Sequence, residues 1–255
     1  MPSLVILMAL VGCKSPLEAP SDLEELTRWM FIEWEDPDAL AAGAANLLEF
    51  ARTEVDFEAD WEGRSYESGA LGEGAADGLV NHNYDPADTV SVVLFFSSRY
   101  PAEDHLDHIG MEDQTPVEPS SSELYNRSFI ENDPGCVSDG SCEFMRSMND
   151  VRRDTALYTL DYDMRKDWRW ITIEGEGEAL CARSFNLESA SGNLIELQQG
   201  YSVDIFLPDG NGALRMQSTW QQMELAGLDA EDVGKTIIKG IDDQLQVHDE
   251  WLDEN

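Results

Sequence analysis

Positive charge is what this chain has least of. Sixteen Lys and Arg stand against 52 Asp and Glu in 255 residues, a net charge of −36. Such a surface repels nucleic-acid phosphates and anionic head groups, so nucleic acid is excluded as a partner. Lysine is scarcer still, with only Lys14, Lys166, Lys235 and Lys239. Long apolar runs are also missing. The N-terminal run, Leu4 to Val11, has eight residues, whereas a membrane-spanning helix needs about 20. No CxxC pair, HExxH, GxSxG or P-loop occurs, so no zinc, serine-hydrolase or nucleotide signature is present. The glycine-rich stretch Gly69 to Gly78 has Asp77 where GxGxxG needs its third glycine, and reads as a loop.

What is present supports one sizeable core. Hydrophobic residues make up 42% of the chain, which is incompatible with global disorder. Abundant carboxylates with few lysines suit either a high-salt habitat, where screening removes self-repulsion, or general solubility. The short apolar run ends in Leu10-Val11-Gly12-Cys13, followed by the Pro-punctuated Lys14 to Pro20. This ending resembles the lipobox of bacterial lipoproteins, although Met1-Pro2-Ser3 lacks the usual positive charge. The resemblance implies a signal peptide at 1–12, lipidation of Cys13, a tether at 13–20 and a single domain at 21–255. It further implies anchoring in the cell envelope, with Lys14 after the cysteine pointing to the outer membrane. With Cys13 lipidated, Cys136, Cys142 and Cys181 remain. Cys136 and Cys142 flank a Gly-containing turn short enough for a local disulfide worth about 2–3 kcal/mol. A Cys142–Cys181 pair is the alternative; otherwise Cys181 is a buried free thiol.

The expected elements follow from periodicity. Ser21 to Glu24 has capping-box spacing and opens a helix with Leu23, Leu26, Met30 and Trp34 on one stripe. Pro37 ends it, and a second helix follows over 38–53. Glu54 to Trp61 alternates acid and apolar residues and predicts a strand with a solvated carboxylate face. Thr89 to Phe96 is apolar on both faces and predicts a central strand. Residues 99–148 are polar and Pro-punctuated and read as a long loop. That loop holds Asp104-His105-Leu-Asp107-His108, the best candidate for a metal ion, set against a solvated acidic loop. From Ala156 to Leu225 alternation and turns predict an antiparallel meander, with one turn at Arg165–Asp167. Six of the 16 bases lie between Arg146 and Arg169, suited to an anionic ligand or to pairing with local acids. Asp229 opens a final helix striped by Val233, Ile237, Ile238, Ile241, Leu245 and Leu252, with His248 on or beside the stripe as a core residue or helix-end charge.

These elements predict an α+β domain, an antiparallel meander with two N-terminal helices and a long amphipathic C-terminal helix packed on one sheet face. The order resembles START-like helix-grip folds, which bind lipids, although those begin with a strand before the two helices. Two functional expectations follow. The first is a non-enzymatic envelope lipoprotein that binds a protein partner. The second is a carrier or sensor of a small hydrophobic ligand, its pocket lined by Trp168, Trp170, Tyr201 and Trp220 with Arg152 and Arg169 at the rim. An extracellular hydrolase is the weakest reading, and apart from the metal candidate no cofactor is expected.

Overall fold

A computed structural model describes residues 18–119, 121–155, 158–228 and 230–255. The lipobox, Cys13 and most of the tether lie outside the described residues.

Two helices open the fold. In α1 (Leu23–Ile32) the cap is Asp22, whose carboxylate accepts from the Glu25 amide at 3.2 Å. In α2 (Pro37–Glu54) Asp36 caps the first turn and Pro37 takes the first helical position, where its missing N–H costs nothing. Pro37 thus starts α2 and does not end α1, which stops at Ile32 and leaves Trp34 in the turn between them. The strand expected over 54–61 does not form. Asp56 and Asp60 accept from the Glu58 and Gly63 amides, and such Asx turns divert the backbone that the alternation would have extended.

The described strands form one nine-stranded, antiparallel sheet. They are β1 (Ser65–Tyr66), β2 (Val90–Ser98), β3 (Ser122–Glu131), β4 (Phe144–Asp154), β5 (Thr159–Ile173), β6 (Gly177–Asn186), β7 (Ala190–Ser191), β8 (Ile195–Asp209) and β9 (Gly212–Leu225). Their order is β1-β2-β9-β8-β6-β5-β4-β3, with the short β7 on β8. The meander is present, but β5 runs straight through Arg165–Asp167. Residues i and i+2 share a face of a strand, so Arg165 pairs with Asp167 there and the charges need no turn. The stretch read as a long loop contains β3, α3 (His105–Ile109) and α4 (Pro134–Ser138). Its polar composition hid a strand because β3 ends the sheet and exposes several of its side chains, its far edge covered only by a short bridge from Asp113 to Asn126.

Both sheet faces are covered. Leu26, Met30, Phe31, Trp34, Leu40 and Leu47 from α1 and the α2 region meet Val93, Phe95, Phe185, Tyr201, Val203 and Trp220. On the opposite face, α5 (Ala230–Glu254) lays Val233, Ile237, Ile241 and Leu245 over Val92, Leu94, Ile195 and Leu197. The helices therefore sit on two faces and not on one, because β2 is apolar on both sides and each needs a cover. A long C-terminal helix across an antiparallel sheet is the helix-grip arrangement. Here the strand beside β9 follows the two helices instead of preceding them. Cys136 and Cys142 form the local disulfide, with Cα atoms 5.4 Å apart, and Cys181 is a free, buried thiol.

Candidate functional site

Between α5 and the sheet lies a cavity of about 320 Å³. Its apolar wall comes from Leu160, Met164, Ile195, Leu197 and Met223 on the sheet and from Ile237 and Ile241 on α5. Gly240 faces the same space. A Cβ there would meet no atom within 4 Å, at an exposed position on the rim of the cavity.

The floor is polar, and register explains how. Lys166 is opposite Ser184, Ser184 opposite Ser202, and Ser202 opposite Thr219, so four strands line up one hydroxyl-rich row under α5. The hydroxyls of Ser184 and Ser202 are 2.6 Å apart, while Thr219 Oγ1 and Asn186 Oδ1 are buried without a hydrogen-bond partner. Buried polar atoms normally find partners, so unmet ones mark a place where something else can bind. Burial pushes the Lys166 amine down to about 8. At the edge of the cavity Arg153 pairs with Glu118 at 2.9 Å, and Glu118 also accepts from Gln244 of α5 at 2.6 Å. Burial lifts the Tyr125 phenol to about 12.

The expected aromatic lining does not assemble. Tyr201 borders the cavity wall, but its ring packs on Phe31 at 5.7 Å; Trp220 also meets Phe31, at 5.9 Å, and donates to the Gly69 carbonyl. Strand alternation turns both rings to the α1–α2 face, opposite Lys166. Trp168 is buried beneath the Arg127 guanidinium, 4.7 Å from its ring. Trp170 and Arg169 line a separate cleft of about 520 Å³ beside Cys142, bordered by Asp38, Glu103, Glu143 and Glu178. Arg152 pairs at the surface with Asp161 at 2.6 Å.

The basic stretch is mostly absorbed by acids. Arg146 and Arg165 both hold the fully buried Asp167, which Arg183 also reaches, and these cations keep its carboxyl below the usual range despite burial. Arg169 approaches Glu35 at 3.9 Å. Lys166 alone of the six makes no hydrogen bond or ion pair. Sequence reasoning missed it because neighbours in sequence alternate between faces.

Of the metal candidates, Asp104 and Asp107 are exposed while His105 and His108 are buried, so the acids and the imidazoles part company. His248 joins the histidines, its ring 4.3 Å from that of His108 and tilted to it by 35°. Donor bookkeeping fixes the tautomers. Ser98 donates to Asp249, His105 Nε2 donates to Ser98, and His108 Nε2 donates to His105 Nδ1 at 3.0 Å. His248 Nδ1 accepts from Arg215, which also holds Asp204. All three rings are neutral. Burial pushes His105 down to about 2, and burial with neighbouring positive groups holds His108 and His248 well below the ordinary histidine value. Among the described residues no group of three His, Cys, Asp or Glu side chains is arranged to hold a metal ion. The cluster bolts the C-terminal half of α5 to the fold, together with the buried Asp242–Arg64 pair at 2.8 Å.

No family model matches the chain, and no curated protein matches it in sequence. Partial overlays with solved structures exist. The lipid transfer and protein localization domain of human StarD13 aligns at 11% identity over 64% of this chain and 77% of its own, with a TM-score of 0.42. A STAR-related lipid transfer protein from Xanthomonas axonopodis aligns at 9% over 67% and 90%, at 0.43. A START superfamily protein from Mycobacterium smegmatis aligns at 8% over 64% and 97%, at 0.42.

Proposed function

We propose that this domain carries or senses a small amphipathic ligand held between α5 and the sheet. The observation that supports this most is the cavity itself: about 320 Å³, with an apolar wall and a polar floor in which Thr219 Oγ1 and Asn186 Oδ1 lack partners. That volume lies at the lower end of the range used for small molecules. The partner-binding reading asks for a broad apolar patch. Among the described residues the large exposed hydrophobics Ile32, Tyr84, Ile130, Leu194 and Leu228 belong to separate segments. A hydrolase would use converging free carboxylates. Asp167, Asp204, Asp242 and Glu118 are each held by arginine, and Asp249 by Ser98 and the Arg99 amide.

The test is fluorescence of N-phenyl-1-naphthylamine, a neutral apolar dye, with the full chain. Enhancement is expected in the parent and its loss in Ser202→Phe, whose ring would rise from the sheet floor into the cavity. Equal enhancement in both proteins would count against this site.

The ligand would be loaded and released near a membrane, because Cys13 is proposed as the lipid anchor. Among the described residues no helix is long and apolar enough to cross one. Fractionation of the parent and Cys13→Ala tests the anchor: a parent that stays soluble in the cytoplasm removes it.

A further inference from the structure

Lys166 is an anomaly of charge. In a chain with 52 acids, one of its four lysines sits against the cavity with no carboxylate. Lys235 and Lys239 show the ordinary outcome, each pairing with an acid one turn away on α5.

The charges facing Lys166 deepen the anomaly. Arg127 comes from β3, Arg215 from β9 and Asp204 from β8, with Glu118 from the segment before β3. Asp204 is neutralised by Arg215 and Glu118 by Arg153, leaving Lys166 and Arg127 as surplus cations. Arg127 is satisfied by neutral groups: the Asn149 side chain, the Ile109 carbonyl and the Tyr125 hydroxyl. His108 and His248, packed near by, are neutral. The protein is strongly anionic overall, yet it concentrates positive charge in this interior. Lys166 is half-buried, and its ammonium has only the Trp168 ring, at 5.5 Å, in place of a carboxylate. A partly desolvated cation without an anion is costly, and selection for stability alone would not keep it.

We infer that the ligand carries a carboxylate, which pairs with the Lys166 ammonium beside the Ser184, Ser202 and Thr219 hydroxyls, while its apolar body lies toward Leu160, Ile195 and Ile241. This rests on the carrier reading and specifies its chemistry. The hydroxyl row offers donors to the second carboxylate oxygen, and Thr219 Oγ1 gains the partner it lacks. A charge-assisted bond in a desolvated site is strong enough to select the head group. The lowered affinity of Lys166 for its proton fits a site that is completed by an anion.

Calorimetric titration of the full chain with decanoate, 1-decanol and decylamine, all as monomers, tests the inference. Decanoate is expected to bind at least about 10-fold tighter than 1-decanol at pH 7, and decylamine weakest. The preference for decanoate should fade above about pH 9 as Lys166 loses its proton. In Lys166→Met, decanoate should weaken about 10-fold while 1-decanol stays within about 3-fold; Lys166→Arg should keep part of the preference. Equal binding of decanoate and 1-decanol to the parent overturns the carboxylate inference and leaves the carrier reading standing, as does a preference that survives Lys166→Met. Binding of none of the three overturns the carrier reading, and this inference with it. The comparison within the parent protein holds even if a variant fails to fold.

Discussion

The two faces of the sheet solve the same burial problem differently. On the α1–α2 face, Phe31 and Trp34 fill the space over Tyr201, Phe185 and Trp220, and Arg183 lies over the Trp34 ring at 5.0 Å. On the α5 face, small and polar side chains under a helix with a glycine leave about 320 Å³ open. The same strands supply both faces, so the difference is set residue by residue through alternation. One face makes the domain stable, and the other gives up packing for a cavity. The face that forgoes packing is the one on which a function can be sought.

The comparison is sharpest under truncation. Phe31→Ala should cost about 3–5 kcal/mol, since it opens a void among groups that cannot collapse. Met223→Ala borders existing space and should cost less than about 1.5 kcal/mol. Urea unfolding of the two variants decides, and comparable losses would mean that the α5 face is as tightly packed as the other. The second test uses pH. Folded-state values of His105, His108 and His248 are depressed, so the unfolded chain binds more protons below its histidine value of about 6.5. Stability should hold above pH 6.5 and fall below it, with a slope of up to about 1.4 kcal/mol per pH unit for each ring. Hydrogen exchange at pH 5 against pH 7 should show the C-terminal half of α5 losing protection ahead of α1 and α2. Uniform loss would sink the idea that the histidines pin one face.

Much of this architecture was legible in the sequence, and the failures are instructive. The helices α1, α2 and α5 and the strands β6, β8 and β9 followed from periodicity and turn residues, because local chemistry and tertiary burial agree there. They disagree at 54–61, where aspartates bond to nearby amides, and at β5, where Arg165 and Asp167 neutralise each other within a strand. The local disulfide was legible from a six-residue separation. The cavity was not. Aromatic residues drew attention to Tyr201 and Trp220, but a pocket is made by what is small or missing, here Gly240, Ser184 and Ser202. Lys166 gains meaning only from its cross-strand neighbours, and those depend on register.

A smaller effect separates the faces again. Lys166→Met should stabilise the protein at pH 7 by on the order of 1–2 kcal/mol, because it removes an unpaired charge from a desolvated place. The sign follows from linkage. The folded-state value, about 8, lies below the ordinary lysine value of 10.5, so the unfolded chain holds more protons between those limits. Parent stability at this group therefore rises with pH through that window. The gap to Lys166→Met should close as the window is crossed, and thermal unfolding at pH 7 and pH 10 would show it. A parent as stable as the variant at pH 7 would mean that Lys166 is not an uncompensated charge.

The smallest expected change is at Gly240. Alanine is the better helix former by about 1 kcal/mol, and a Cβ there meets nothing within 4 Å, so Gly240→Ala should stabilise α5 by nearly that amount. On a fully packed face the same substitution would clash: at Gly43 of α2 a Cβ would come within 2.3 Å of Met30 Sδ. Gly43→Ala should therefore destabilise while Gly240→Ala stabilises, two Gly→Ala changes of opposite sign on opposite faces. If both destabilise, α5 is packed around Gly240 more tightly than its open surroundings show.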